Sequence, residues 1–235
     1  MRWNPLLQTF SIPAHISLIM FDLDGTLIDS RHDIAASVNH TFAALNLPLK
    51  PLETIYGYVG NGVRQLMIDA VASWDESQIS RALAIFEQHY LAHLLDRTLL
   101  YPGLTDLLHR FRHIPKSMAT NKPLHYTLKI IEGLGLTDQF NPILGGTTSC
   151  KLKPDPEMIL TTLSMRGVKP EEALFVGDSP NDVIAAHAAG IRCCGVGYGG
   201  LTKREDIEAA TPDFFVETVE ELGAFLAHYT RSSSL

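Results

Sequence analysis

The sequence predicts an α/β protein, a doubly wound parallel sheet of the Rossmann-like kind with a second, helical unit inserted into it. Three observations lead to this fold class. Short apolar runs alternate with amphipathic helical patterns along most of the 235 residues. Several of those runs stay apolar without strict alternation, as strands covered on both faces do. The alternation stops between residues 31 and 99, where the patterns are helical throughout.

Six apolar runs are predicted strands, at residues 15–22, 116–120, 141–146, 173–178, 191–197 and 213–217. Helical patterns lie between them. The segment 104–111 places leucines and a phenylalanine at i, i+3, i+4 and i+7. Two further helices open at Pro123 and Pro156 and end at glycines, as helices commonly do. Strand and helix in repeated alternation imply parallel strands joined by crossover helices.

The first predicted strand is followed by a helical block rather than by a crossover to a second strand. In this block Ile34, Val38, Phe42 and Leu45 share one helix face. We therefore expect two domains, an α/β catalytic core from residues 1–30 and 100–235, and a helical cap from residues 31–99. The linkers near residues 28–32 and 98–102 are the expected hinges of a lid.

Composition limits the class of protein and its partners. The formal net charge is −7, from 19 basic and 26 acidic side chains, so no basic footprint for nucleic acid or an anionic membrane is evident. No run approaches the about 18 apolar residues of a membrane span, and the N-terminus lacks the apolar core of a signal peptide. We expect a cytoplasmic protein with its three cysteines reduced. The oligomeric state is not readable.

Polar side chains follow four of the predicted strands, at the sheet edge where ligands of such folds bind. The first strand leads into Asp22, Asp24 and Thr26. The second leads into Thr120, Asn121 and Lys122, the third into Lys151 and Lys153, and the fourth into Asp178 and Asp182. Two carboxylates as close as Asp22 and Asp24 repel each other unless a cation or a shared proton intervenes. These strand ends therefore predict one acidic, cation-binding site.

Each of these groups also has a purely structural interpretation. The Asp-x-Asp-Gly-Thr stretch can be a capped turn, and Ser30 with Asp33 resembles a helix capping box. Thr120 and Asn121 can cap the next helix. Asp182 falls at the N3 position of a helix capped by Ser179, where a carboxylate is favourable. Spacing alone does not separate Lys151 from Lys153 as the active lysine.

The four stretches FDLDGTLIDS, ATNKP, KP and GDSPND, in this order, resemble the motifs of the haloacid dehalogenase superfamily of phosphohydrolases. Within it, the chain is similar to the phosphoglycolate phosphatase branch from about residue 16 to 226. The resemblance implies that Asp22 is the nucleophile and Asp24 the general acid and base. It also implies that Thr120 and Lys153 bind the phosphoryl group and that Asp182 orients the lysine or a metal-bound water.

The resemblance further implies a Mg²⁺ cofactor, held by Asp22, the backbone carbonyl of Asp24, and Asp178. The substrate would be a small phosphorylated metabolite, 2-phosphoglycolate first. We assign substrate contacts to Thr26 and Asn121 in the core and to Gly62 and Arg64 in the cap, because arginine suits bidentate recognition of a carboxylate. Arg64 can equally be a surface helix residue.

Several alternatives stay open from sequence. A sugar phosphomutase shares all four motifs, and pyrophosphatase or nucleotidase specificity is also compatible. A dehalogenase would lack the second aspartate of the first motif. A non-catalytic phospho-acceptor module is the alternative outside the enzymes, although it would need neither Asp24 nor a cap. The i, i+4 pairs His89 with His93 and His109 with His113 have metal-binding spacing but lack a third ligand.

Overall fold

The computed structural model describes residues 15–60, 62–70, 75–146 and 149–230. The first fourteen residues, the Asn61 of the glycine-flanked cap motif and the tail 231–235 lie outside the described residues. The strands are β1 (Leu18–Phe21), β2 (Ile28–Asp29), β3 (Leu99–Leu100), β4 (Lys116–Pro123), β5 (Ile143–Gly146), β6 (Ala173–Gly177), β7 (Arg192–Val196) and β8 (Phe214–Val216).

The helices of the described residues fall into two groups. Four follow one another before β3: α1 (Arg31–Ala44), α2 (Leu52–Tyr56), α3 (Val63–Ala70) and α4 (Glu76–His93). The others alternate with the later strands: α5 (Leu104–Arg110), α6 (Leu124–Gly133), α7 (Glu157–Arg166), α8 (Pro180–Ala188), α9 (Arg204–Ala209) and α10 (Val219–Tyr229). None of the helices that the structure describes is long and apolar enough to span a membrane.

Six strands form one sheet in the order β5-β4-β1-β6-β7-β8, and every neighbouring pair is parallel. All six are predicted from sequence, and the doubly wound fold class is confirmed. β1 lies in the middle, buried along its whole length. Its Ile19 and Phe21 face one apolar cluster, whereas Leu18 and Met20 face the other. Both faces of the sheet are therefore covered, which explains the unbroken apolar runs.

The strand order places the chain reversal between β1 and its neighbours β4 and β6. In open α/β sheets a crevice forms there beyond the carboxyl ends of the strands. The loops after β1 and β6 and the last residues of β4 therefore border the same site. The adjacent cysteines are free and buried on opposite faces, Cys193 in one apolar cluster and Cys194 in the other, as the alternation of a strand requires.

The helices α1 to α4 pack mainly on one another, with α4 against both α1 and α3. No strand occurs in the described residues from 31 to 98. At the base of this helical unit β2 and β3 form a two-stranded antiparallel ribbon, in which Ile28 pairs with Leu100 and Asp29 with Leu99. The outgoing and returning chains thus run side by side at the predicted linkers.

The capping box predicted from Ser30 and Asp33 is wrong. The Ser30 side chain makes no bond to the helix and instead donates to Asp24. The buried Asp33 carboxylate accepts three hydrogen bonds from the returning linker: the Arg97 N–H at 3.0 Å, and the Thr98 N–H and hydroxyl at 2.8 and 2.7 Å. Both side chains are buried, so these tertiary donors and acceptors replace the local helix bonds.

Candidate active site

The carboxyl ends of β1 and β6 bring three carboxylates together. Oxygens of Asp22, Asp178 and Asp182 lie within 4.8 Å of one another, and all three side chains are buried. Asp22 comes directly after β1 and Asp178 directly after β6, whereas Asp182 lies in the first turn of α8. The acidic site predicted from the strand ends is therefore present in the structure, and Asp182 belongs to it.

The turn after β1 is shaped by its glycine. Gly25 has φ +81°, a left-handed conformation, and a Cβ there would collide with the Asp178 carboxylate. The next residue, Thr26, is fully buried and its hydroxyl donates to Asp178 Oδ1 at 3.1 Å. The observed role of Thr26 is thus to fix Asp178, and its predicted contact with substrate stays a prediction.

The structure separates the two candidate lysines. The Lys153 side chain is 2% exposed, and its Nζ lies 3.0 Å from Asp22 Oδ1 and 2.5 Å from Asp182 Oδ1. The Lys151 side chain is 73% exposed and pairs only with Asp155 in its own loop among the described residues. Lys153 is therefore the lysine of the site.

Asn121 holds the loop that carries this lysine. Its Oδ1 accepts from the Lys153 N–H at 2.8 Å, and its Nδ2 donates to the Lys153 carbonyl at 2.9 Å. Nδ2 also donates to the carbonyl of Gly60 in the cap at 3.1 Å. Asn121 lines the cavity described below, but these bonds occupy its amide. Its predicted substrate contact stays a prediction beside this positioning role.

Asp182 combines its two predicted roles. Its Oδ2 accepts from the N–H and the hydroxyl of Ser179 at 3.0 and 2.7 Å, which caps α8. Its Oδ1 is the oxygen that binds the ammonium of Lys153. The same carboxylate therefore stabilises the helix start and orients the lysine.

Burial makes these charges unfavourable unless they are compensated. Burial raises the pKa of Asp22 to about 6, with Asp182 adding to the rise and the charge of Lys153 opposing it. Burial also raises the pKa of Asp178 well above its usual range, as do the charges of Asp182 and Asp22. For Lys153, burial lowers the pKa, but the carboxylates of Asp182 and Asp22 outweigh it and the net shift is upward.

The residues present fit a divalent cation. Among the residues that the structure describes, one ammonium, that of Lys153, pairs with carboxylates of this group of three. Although that ammonium is near, Asp22 Oδ1 accepts no hydrogen bond of good geometry from the described residues. Hard oxygen ligands of this kind suit Mg²⁺, which is typically held by one or two carboxylates while substrate phosphate completes its coordination.

A second ion pair lies beside the first. Lys122 Nζ donates to both oxygens of Asp24, at 3.1 and 3.2 Å, and Ser30 donates to Asp24 as well. The sequence analysis assigned no role to Lys122. The sequence contains a signal for Lys122, namely its spacing of two residues from Thr120. In a strand that continues to Pro123, residues at this spacing point to the same face.

The ion pairs border a cavity of about 50 Å³ between the sheet and the cap. Asp22, Asp24, Thr120, Lys122 and Asp178 line it from the sheet side. The cap side is mostly apolar and is formed by Ile34, Val59, Gly60, Gly62, Val63, Leu66, Phe86 and Tyr90. Since one water needs about 10–15 Å³ on this measure, the cavity suits a small ligand.

Of the two predicted cap contacts, Gly62 lines the cavity and Arg64 does not. The Arg64 guanidinium forms a forked ion pair with Glu76 at 2.6 and 3.0 Å, and its side chain is 51% exposed. The structure favours the surface interpretation of Arg64. Of the two histidine pairs, His89 stacks between His40 and His93 at 4.0 and 4.3 Å, and Ser37 contacts His89 Nδ1. His109 and His113 are exposed.

The parallel sheet, the acidic site at its carboxyl edge and the helical insertion define a hydrolase class. The family profile described as haloacid dehalogenase-like hydrolase matches residues 19–196, and the chain belongs to this family. The chain is thus an enzyme of a hydrolase family, as the sequence motifs predict.

The chain is also similar to individual proteins that have more specific names than the family profile. The chain is 38% identical to phosphoglycolate phosphatase 1 of Pseudomonas aeruginosa over 87% of its own length and 78% of that protein. It is also 38% identical to the phosphoglycolate phosphatase of Chromobacterium violaceum, over 88% and 95% of the two chains. A crystal structure described as a predicted phosphoglycolate phosphatase from Haemophilus somnus superposes with a TM-score of 0.84 and 30% identity, covering 89% and 97%.

Proposed function

We propose that this protein is a Mg²⁺-dependent phosphatase that hydrolyses a small phosphate monoester, 2-phosphoglycolate first among them, through a phosphoaspartyl intermediate. The observation that supports this most directly is the position of Asp22. Its carboxylate lines the cavity, with Lys153 at 3.0 Å on one side and the Asp24–Lys122 pair also lining that cavity.

In the first half-reaction, an oxygen of Asp22 attacks phosphorus and the ester oxygen leaves. Asp24 donates a proton to that oxygen, so the alcohol departs neutral. Thr120 lines the cavity on the strand next to β1, where its hydroxyl can donate to a phosphoryl oxygen. Lys153 opposes the negative charge that would otherwise repel a phosphate from Asp22.

In the second half-reaction, Asp24 acts as a base. It now lacks its proton and takes one from the water that attacks the phosphorus of the phosphoaspartyl group, which regenerates Asp22. Asp24 thus acts as both general acid and general base, and Lys122 and Ser30 hold its carboxylate by hydrogen bonds. The apolar cap side limits the access of other water to the cavity.

Asp22, Asp178 and the backbone carbonyl of Asp24 are the groups that would hold Mg²⁺. When bound, the ion neutralises the carboxylates and the phosphate oxygens that must approach each other. Thr26, Gly25 and Asp182 maintain this donor set through the contacts described above.

Two observations support 2-phosphoglycolate over larger esters. The curated relatives at 38% identity are named phosphoglycolate phosphatases, and the cavity is small. The presence of Asp24 with its lysine partner supports phosphoryl transfer over dehalogenation. Phosphoryl transfer from an ester releases an alkoxide that a general acid must protonate, whereas dehalogenation releases no alkoxide.

The test is a phosphatase assay with and without Mg²⁺ over 2-phosphoglycolate, glucose phosphates, pyrophosphate and a nucleoside monophosphate. We expect Mg²⁺-dependent phosphate release, fastest from 2-phosphoglycolate. Asp22→Asn should lower kcat by at least about 10³-fold with an unchanged circular dichroism spectrum. Interconversion of glucose phosphates without phosphate release would favour a phosphomutase instead. Substantial turnover by Asp22→Asn would contradict the assignment of the nucleophile.

A further inference from the structure

Two side chains meet across the cavity, one of which holds the proposed acid and base Asp24 and the other of which has no role in the proposed phosphoryl chemistry. Tyr90 comes from α4 in the cap and Lys122 from β4 in the sheet, and both line the cavity. Tyr90 is 1% exposed and the Lys122 side chain 4%. The Lys122 ammonium lies over the Tyr90 ring, 4.9 Å from its centroid. The pair therefore joins the two halves of the site.

The buried hydroxyl of Tyr90 has the Lys122 ammonium as its polar neighbour, but it donates its own proton to no acceptor among the described residues. Buried donors without an acceptor are rare in native proteins, and a ligand, an ion or a water in the adjoining cavity would supply one. Burial raises the pKa of Tyr90 to about 12, so this hydroxyl keeps its proton and can donate it in a hydrogen bond.

Lys122 offers a cation at the edge of the cavity. Its ammonium is paired with one carboxylate, that of Asp24, and both side chains line the cavity. A lysine ammonium has three N–H donors and no acceptor. A negative group that enters the cavity on a substrate therefore meets a hydrogen-bond donor of opposite charge that is already in place.

The position of the pair fits such a group. Among the described residues that line the cavity, Lys122 is the sole cationic one, and the neighbouring cap side chains are apolar. Lys122 lies 3.1 Å from the carboxylate that must reach the ester oxygen. In 2-phosphoglycolate the carboxylate carbon is two bonds from that oxygen. A lysine in contact with the proton donor is therefore also within reach of the substrate carboxylate.

We propose that Lys122 Nζ and Tyr90 Oη together bind a carboxylate on the leaving group of the substrate and select for substrates that carry one. This inference rests on the proposed phosphatase function and assigns its specificity. The cation comes from the core and the hydroxyl from the cap, so the full carboxylate site exists only when the two are together.

The experiment compares two substrates that differ at this group, 2-phosphoglycolate and ethyl phosphate, in which a methyl replaces the carboxylate. The readout is the ratio of their kcat/KM values. Both substrates need Asp22, Asp24 and Mg²⁺, so changes in the phosphoryl chemistry cancel in the ratio. We expect a ratio of at least about 100 in the wild type, a five- to tenfold lower ratio in Tyr90→Phe, and a larger drop in Lys122→Met.

Arg64→Ala is the matched control, because Arg64 is the other candidate for the carboxylate and lies outside the cavity. Its ratio should equal that of the wild type. A fall in Arg64→Ala with none in Tyr90→Phe and Lys122→Met would transfer the role to Arg64 and overturn the inference. A wild-type ratio near one, or an unchanged ratio in both variants, would also overturn it while leaving the phosphatase function intact.

Absence of hydrolysis for every ester in the wild type would instead contradict the proposed function itself. Thermal unfolding of each variant checks the fold. Phenylalanine retains the ring of Tyr90, so Tyr90→Phe decides the question by itself should Lys122→Met fail to fold.

Discussion

Lys151 and Lys153 are two residues apart in one loop, and the fold gives them opposite environments. Lys153 is buried against Asp22 and Asp182, whereas Lys151 is exposed and pairs with a neighbour in the loop. The difference comes from Asn121, which binds the backbone N–H and carbonyl of Lys153 and thereby sets the direction of the loop. The position of Lys153 in the site is thus set by a contact with a residue 32 positions away in sequence.

This pair gives a matched test. Lys153→Met should lower kcat/KM for 2-phosphoglycolate by at least about 10²-fold, because a phosphate would then meet the buried carboxylates without their cation. Lys151→Met should change it less than about twofold, as expected for an exposed ion pair. Steady-state kinetics with saturating Mg²⁺ measures both. Equal losses in the two variants, or a loss confined to Lys151→Met, would contradict the assignment.

The sequence was sufficient to locate those parts of the site in which the residue type by itself indicates the chemistry. Asp22 and Asp178 follow apolar strands and cluster at the edge of the sheet, and Asp24 lines the cavity beside them. It could not separate Lys151 from Lys153, because both are equally far from a strand and only burial distinguishes them. It placed Lys122 at the end of a strand but gave it no role, because the predicted strand ended at residue 120, whereas β4 continues to Pro123. Arg64 was proposed from its chemistry, but its partner Glu76 lies on the next helix.

At the scale of elements, Asp33 fastens helix α1 to the chain that returns from the cap. Its carboxylate accepts the hydrogen bonds of Arg97 and Thr98 at the point where the linker runs back to β3. The buried N–H and hydroxyl of Thr98 and the N–H of the exposed Arg97 have this carboxylate as their acceptor. Loss of the carboxylate would leave buried donors unsatisfied, and each costs about 1–3 kcal/mol.

Asp33→Ala should therefore lower the free energy of unfolding by about 2–4 kcal/mol. Urea denaturation followed by circular dichroism measures this value. Asp106→Ala is the control, since Asp106 is an exposed residue in the first turn of α5 whose loss should cost less than about 1 kcal/mol. A cost below 1 kcal/mol for Asp33→Ala would show that the linker does not depend on this contact.

The hydrogen bonds of Asp33 to the linker also explain why a capping box was wrongly predicted at the start of α1. Ser30 and Asp33 have the spacing of a capping box, but the partners of Asp33 come from a segment 64 residues later. The strands β2 and β3 were not predicted, because a strand of two residues is too short to show a recognisable pattern of apolar residues. Long apolar runs, in contrast, predicted all six strands of the large sheet, since burial on both faces leaves a strong signal.

At the scale of the whole molecule, we expect the buried carboxylates at the acidic edge of the sheet to make stability depend on pH and, if the proposed Mg²⁺ site is correct, on that ion. In the folded state the pKa of Asp22 is about 6, against an ordinary value of 3.8. Between these values the folded protein binds more protons than the unfolded one, so the free energy of unfolding falls as pH rises. The stabilising contribution of protonated Asp22 is present below about pH 4 and is lost as pH passes 6. Asp178 acts in the same direction.

We therefore expect that, in EDTA, the Tm of Asp22→Asn minus that of the wild type increases from pH 4.5 to pH 7, because asparagine does not titrate. Adding Mg²⁺ at pH 7 should raise the Tm of the wild type by several degrees, since a ligand of the folded state stabilises it. The rise should be absent or much smaller in Asp178→Asn. Differential scanning calorimetry measures both effects. A Tm difference that shrinks with rising pH, or equal Mg²⁺ effects in the two proteins, would contradict this account.

The ribbon of β2 and β3 has a consequence for how this architecture can be altered. Residues 29 and 99 are directly paired, and paired antiparallel strands are separated by about 5 Å. The two ends of the helical unit are thus close enough to be joined by a short turn or by a different helical unit. If the chain has the function proposed above, replacing the helical unit should change the substrate preference, whereas the carboxylates at the sheet edge would continue to carry the phosphoryl chemistry.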